Sequence, residues 1–178
     1  SAFADARRAK ADHAPARVGE ARLLATKGDL RGATSAVDAV LAQDPNNRDA
    51  LQFKGDLATA QGDFAGAAQA FGKVVQLAPK SASAWFSLVI ALAEQNKLDE
   101  AKKQLEAFKK AVPGDARTSY LQAWMSFREG NKQAAKDAIA QVLKVAPDNV
   151  PTLALAGMIE AEGGNYVQAE VHLLKVLE

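Results

Sequence analysis

The chain of 178 residues is 48% hydrophobic, a share that excludes a disordered tail. Its 22 basic and 21 acidic side chains leave a net charge of +1, which gives no bulk attraction to nucleic acid or to an anionic lipid surface. Cysteine is absent, which removes disulfides and thiolate chemistry without fixing the compartment, and no run of about 18 apolar residues exists to span a membrane.

In chain order, residues 1–13 read as a leading partial helix. Phe3 and Ala6 stand where Val37 and Val40 stand one repeat later, so the chain begins as half of an earlier hairpin. The start Ser1-Ala2-Phe3, with neither methionine nor a signal pattern, reads as that of a mature or excised fragment. Residues 14–47 give a first helix with Ala21 and Leu24, a turn at Gly28-Asp29, and a second helix with Ala33, Val37 and Val40 that Pro45 ends. Residues 48–81 repeat the order with Leu51, Gly55 and Ala58, then Gly62-Asp63, then Ala67, Phe71, Val74, Val75 and Pro79. Residues 82–115 carry Trp85, Leu88 and Leu92, an Asn96-Lys97 turn, then Ala101, Leu105, Phe108 and Pro113. Residues 116–149 carry Ser119, Ala123 and Ser126, a Gly130-Asn131 turn, then Ala135, Ile139, Val142 and Pro147. Residues 150–178 carry Leu153, Gly157 and Glu160, a Gly164-Asn165 turn, then Ala169, Leu173 and Val176. The segment from Val171 to Glu178 reads as a second helix with nothing after it.

One period organises these elements. Pro45, Pro79, Pro113 and Pro147 are each 34 residues apart, and so are Ala33, Ala67, Ala101, Ala135 and Ala169. Gly28, Gly62, Gly130 and Gly164 fall on a third ladder, with Asn96 on the remaining rung. Such a period is the signature of stacked helix–turn–helix units. Within a unit, glycine accepts the positive-φ turn, Asp63 caps the second helix, and proline removes a donor and stops it. Asn47, Ser81, Asp115 and Asn149 stand as caps of the next first helices. A lone hairpin leaves one apolar face bare, so each unit leans on its neighbours. The fold expected is all-α: a right-handed α–α superhelix of about five repeats plus the leading partial helix, forming a single array over residues 14–178.

Trp85, Gly55, Gly157, Ala67, Phe71 and Pro79 resemble the pattern of the tetratricopeptide repeat (TPR). Val89 and Ala123 depart from its small glycine, and Val40, Val74, Phe108 and Val142 depart from its second alanine. The phrases Asp12-His13-Ala14-Pro15-Ala16-Arg17, Gly28-Asp29-Leu30, Tyr120-Leu121-Gln122-Ala123 and Leu143-Lys144-Val145-Ala146-Pro147-Asp148-Asn149 are similar to the TPR-repeat lipoprotein of the bacterial PEP-CTERM/exosortase protein-sorting system. That resemblance implies long arrays, envelope anchoring through a lipidated cysteine, and company with exopolysaccharide genes. The chain, lacking that cysteine, would be an internal piece of a protein of the bacterial periplasm or cell envelope.

The TPR resemblance also implies an inner wall made by the first helix of each repeat. Its ligand-facing positions here are Val18 and Arg22; Gln52, Phe53 and Asp56; Phe86 and Ile90; Tyr120, Trp124 and Phe127; and Ala154 and Met158. The aromatic residues on α-helical spacing fit either an anchor for a partner or ordinary inter-repeat core. Phe86 and Ile90 are surplus to the inward stripe of Trp85, Leu88 and Leu92, which favours a contact surface. Chaperone-binding relatives hold a terminal carboxylate with Lys, Asn and Arg. Val18, Gln52, Phe86, Tyr120 and Ala154 stand at those places, so the clamp is absent.

Reactive constellations are missing from the sequence. His13, read in a loop beside Pro15, and His172, in the last helix, have no metal-spaced partner. Ser35, Ser81, Ser83, Ser87, Ser119 and Ser126 lie in no nucleophile elbow. Gly163-Gly164 is a turn doublet with no phosphate-loop lysine after it. Glu160 and Glu162 point to different helix faces, and Asp99 and Glu100 suit a helix start. Lys102, Lys103, Lys109 and Lys110 are interleaved with Glu106 as a solvated face. The expectation is a scaffold with no catalytic, cofactor or metal residues. It would bind a protein or peptide in its inner groove, and neither nucleic acid nor, within this segment, a membrane. Two alternatives remain: a carbohydrate-contacting module, and self-association through the uncapped C-terminal helix.

Overall fold

The computed structural model describes residues 2–177, with side chains described from residue 14 onward. Among the described residues the chain forms ten helices and no strand, and it packs as two compact units, Ser1–Lys97 and Leu98–Glu178.

The first unit holds α1 (Ala2–Thr26), α2 (Leu30–Gln43), α3 (Arg48–Ala60), α4 (Phe64–Leu77) and α5 (Ala82–Glu94). Each helix packs on the next, and α1 also touches α3. The turns follow from glycine. Gly62 has φ 74°, and the next amide, Asp63, donates to the Ala58 carbonyl at 2.8 Å, closing the end of α3. The Asp63 carboxylate then accepts from the Gly66 amide at 2.9 Å and starts α4. Pro79 ends α4, and its carbonyl accepts from Trp85 Nε1 at 2.8 Å, so the stop of one helix fixes the next. Ser81 stands at the start of α5, but its hydroxyl meets Ser83 Oγ at 3.3 Å and makes no capping bond, contrary to the expected cap.

Two stripes on α3 are buried. Leu51, Gly55 and Ala58 form the one expected from sequence, and Ala50, Phe53 and Leu57 join Val18, Ala21, Val37 and Val40 in a core cluster toward α1 and α2. A helix between two neighbours needs both stripes apolar, which leaves Gln52 and Asp56 as its open edge.

The N-terminal hairpin boundary is a correction. Helix α1 runs unbroken through His13 and Pro15, where a loop was expected. The rungs one period before Pro45 and Asn47 are Ala11 and His13, which supply neither stop nor cap. Pro15 shares its rung with Pro151, which sits in the first turn of a later helix, and is therefore no terminator. The expected placement of the Phe3 and Ala6 side chains lies outside the described residues.

The second unit holds α6 (Leu98–Ala111), α7 (Ala116–Arg128), α8 (Lys132–Val145), α9 (Val150–Glu162) and α10 (Tyr166–Leu174). Successive helices again pack together, and α7 touches α9. Ala123, Ala135, Ile139, Leu155, Ala156 and Ile159 form its core cluster. Helix α10 ends at Leu174, short of the expected Glu178. The Asn165 amide donates to the Glu160 carboxylate at 2.8 Å and caps nothing, so α10 lacks the side-chain cap that α2, α4 and α8 have.

Candidate functional site

One rung of the repeat passes through all five first helices: Arg22, Asp56, Ile90, Trp124 and Met158. Arg22, Asp56 and Met158 are exposed, and Ile90 and Trp124 half-buried, so this rung stays on the open side of its helices. The rung of Phe53 is mixed: Gly19 is exposed and Ser87 half-buried, and the other three members are core. Phe53, Leu121 and Leu155 are 6%, 0% and 1% exposed, so Phe53 belongs to the core and not to the expected wall. Its neighbour on the sequence, Gln52, is half-buried on the open edge, and Val18 is buried.

In the first unit the Arg22 guanidinium stacks over the Phe53 ring, 4.6 Å from its centroid. The Asp56 carboxylate accepts from Gln52 Nε2 at 3.2 Å. Burial raises its pKa above the usual carboxylate value, opposed by the Gln52 hydrogen bond and the charge of Arg22. Asp56, Thr59, Phe71, Phe86, Ser87, Ile90 and Ala91 line an open cleft of about 280 Å3. Thr59 Oγ1 donates to the Gly55 carbonyl at 2.9 Å, which leaves the hydroxyl oxygen able to accept.

In the second unit Tyr120, Trp124 and Phe127 form a stripe along α7. All three are half-buried, with one side against the core cluster. The Arg128 guanidinium lies 5.0 Å from the Trp124 ring centroid, and burial raises the pKa of the Tyr120 hydroxyl. On α9, Met158 is 48% exposed and Ala154 half-buried. The stripe is thus both core and surface: one side packs against the cluster that holds Leu155, Ala156 and Ile159 of α9, and the rest stays partly in solvent.

Sequence reasoning missed Thr59 and Ser87. Thr59 is three residues beyond Asp56, a spacing that puts it on the same helix edge, and that was the available signal. The remaining candidates show no reactive geometry. His172 Nε2 is 3.3 Å from Gln168 Nε2, and the His13 side chain lies outside the described residues. Among the described residues, no group of three or more His, Cys, Asp or Glu could hold a metal ion, and no helix is long and apolar enough to cross a membrane. Lys102 pairs with Glu129 at 2.5 Å and Lys109 with Glu106 at 2.7 Å, so part of the basic group is neutralised locally.

Two family models, each described as a tetratricopeptide repeat, match residues 18–82 and 58–125. Among solved structures, MamA 41-end from Desulfovibrio magneticus RS-1 is similar with a TM-score of 0.71 at 21% identity, over 93% of this chain and 94% of that one. A thermophilic TPR protein in Thermus thermophilus gives a TM-score of 0.77 at 15% identity, over 92% and 90% of the two chains. YrrB, described as a TPR protein with an unusual peptide-binding site, gives 0.64 at 20% identity, over 99% and 91%. No curated protein matches the chain.

Proposed function

We propose that the protein is a non-catalytic scaffold that binds an extended peptide or a partner helix on the open edges of its first helices, as the match of residues 18–82 and 58–125 to tetratricopeptide-repeat models supports. The observation that carries this reading lies in the second unit: Trp124 on α7 is half-buried and Met158 on α9 is 48% exposed, apolar side chains left partly in solvent on one rung. The similar protein YrrB has a peptide-binding site, which supports the same use of the fold. The phrases shared with the PEP-CTERM/exosortase lipoproteins add a setting: assembly of a protein-sorting or exopolysaccharide-export system in the bacterial periplasm or cell envelope.

The test is a photo-crosslinking amino acid placed at Met158, with the protein expressed in its own cell. A protein adduct at Met158, lost in a Trp124→Ala background, is expected. Adducts spread equally over an outward control position such as Gln141 would reject the reading. A stacked sugar ring is less well supported, because Arg128 already lies over the Trp124 ring.

A second reading, self-association, has its own support in α10. Leu173 is 43% exposed, whereas Val37, Phe71, Leu105 and Ile139 on the same rung are at most 4% exposed. Sedimentation at several concentrations decides it: Leu173→Glu should abolish any concentration-dependent dimer, and a monomer at every concentration removes the reading.

A further inference from the structure

The cleft in the first unit has a chemistry of its own. Its apolar lining is Phe71, Phe86, Ile90 and Ala91. Its polar groups present oxygen acceptors, namely the Asp56 carboxylate and the Thr59 and Ser87 hydroxyls. At about 280 Å3 it is smaller than the roughly 300–1,000 Å3 of small-molecule sites, and the right scale for one side chain. A single side chain that suits a cleft lined by apolar side chains and one carboxylate has a long hydrocarbon stem and a cationic head.

We propose that this cleft receives a lysine or arginine side chain of an extended peptide, the stem lying along Phe86 and Ile90 and the charged head reaching Asp56. The inference rests on the peptide-binding reading of the open face and names the chemistry of one position in that peptide. Charge complementarity is the argument for this occupant. The Asp56 carboxylate is partly desolvated, so its field is less screened than that of a surface acid, and its partner on the same helix, Gln52, is neutral. An acidic or wholly apolar side chain would leave the carboxylate further desolvated, with only the longer-range charge of Arg22, whose guanidinium lies over the Phe53 ring, to offset it. Lys54 does not serve it, being paired with Asp38 at 2.6 Å.

The experiment selects binders from a displayed library of random dodecapeptides on the full chain, then measures each synthetic peptide by fluorescence anisotropy. Three proteins are compared: the parent, Asp56→Asn, and Asp38→Asn, which makes the same charge change away from the cleft. Circular dichroism confirms that each is folded. The expected consensus contains Lys or Arg beside an apolar residue, and Asp56→Asn weakens such peptides about tenfold at low salt. Asp38→Asn leaves them within about twofold, and raising the salt narrows the difference. Recovered peptides with no basic preference, or with equal affinity for parent and Asp56→Asn, overturn this inference while leaving the groove intact. Recovery of no peptide at all overturns both the inference and the groove reading.

Discussion

Gly55 leaves its missing side chain's space to Phe71: a Cβ built on Gly55 would lie 2.5 Å from Cε1 of that ring. Ala123 with Ile139, and Ala21 with Val37, occupy the same two rungs in other hairpins and are buried in the same clusters. The smallest residue on α3 faces the largest on α4, and intermediate pairs share the volume between them. Within these hairpins a larger residue on the first helix goes with a smaller one on the second, so the alanine at Ala123 is size compensation for Ile139 in place of a ring.

Replacing Gly55 by alanine should destabilise the protein by about 1–3 kcal/mol, because Phe71 is 1% exposed and has nowhere to move. Gly157→Ala faces a nominal clash of 2.7 Å with Leu173, yet Leu173 is 43% exposed and can swing away. Its cost should stay below about 1 kcal/mol. Urea unfolding of both variants checks the contrast, and equal losses would contradict it.

Most of the hairpin order was readable because its causes are local. Glycine at a positive-φ turn and proline after a helix act within a few residues, so the period exposes them directly. Pro15 shows the limit: the residue type suggests a stop, but its rung matches Pro151 and the true stop rung holds Ala11. Phe53 shows another. The ladder gave its position on α3, but whether that edge is open depends on α1 and α2 packing from the other side, which is tertiary information. Asp56 was legible as a position, whereas the cleft beside it depends on Thr59 and Ser87 arriving from two helices.

Asn96 is the one non-glycine residue with positive φ among the described residues, at 60°. The other four turns on this rung use glycine. Asparagine tolerates the left-handed region but still carries a Cβ. Asn96→Gly should therefore raise stability by a few tenths to about 1 kcal/mol, and Asn96→Ala should lower it by about 1 kcal/mol. Thermal unfolding of the pair resolves the sign.

The start of α7 carries a pH dependence. The Asp115 carboxylate accepts three bonds from Arg117: Oδ1 from the backbone amide at 3.0 Å and from Nε at 2.9 Å, and Oδ2 from Nη2 at 2.9 Å. The Arg117 side-chain bond chiefly lowers the Asp115 pKa, against a smaller opposing effect of burial. A lowered folded-state pKa means the contribution is complete above the unfolded value near 3.9 and disappears as pH falls through the lower folded value. Asp115→Ala should cost about 1 kcal/mol at pH 7, and its difference from the parent should shrink below about pH 4. A difference unchanged down to pH 2 would show that the charge is not what stabilises the cap.

Glu160 occupies a rung that holds Leu24, Ala58, Leu92 and Ser126 elsewhere, yet it is only 9% exposed. Two neighbours make this tolerable: Lys136 of α8 at 2.8 Å and the Asn165 amide at 2.8 Å. Lys132 Nζ donates to the Glu162 carbonyl at 2.6 Å, so α8 holds the end of α9 through two lysines. Removing one partner of a shielded carboxylate costs more than removing the pair, because the remaining charge stays desolvated. Lys136→Met should therefore destabilise the protein by about 1–2 kcal/mol, with the exposed ammonium limiting the loss. Glu160→Leu, which restores the apolar rung, should leave stability within about 1 kcal/mol of the parent or above it. In the double variant the Lys136→Met penalty should vanish, and chemical denaturation of all four proteins measures that coupling. A penalty that persists beside Glu160→Leu would mean that Lys136 acts through its hydrocarbon stem and not through its charge.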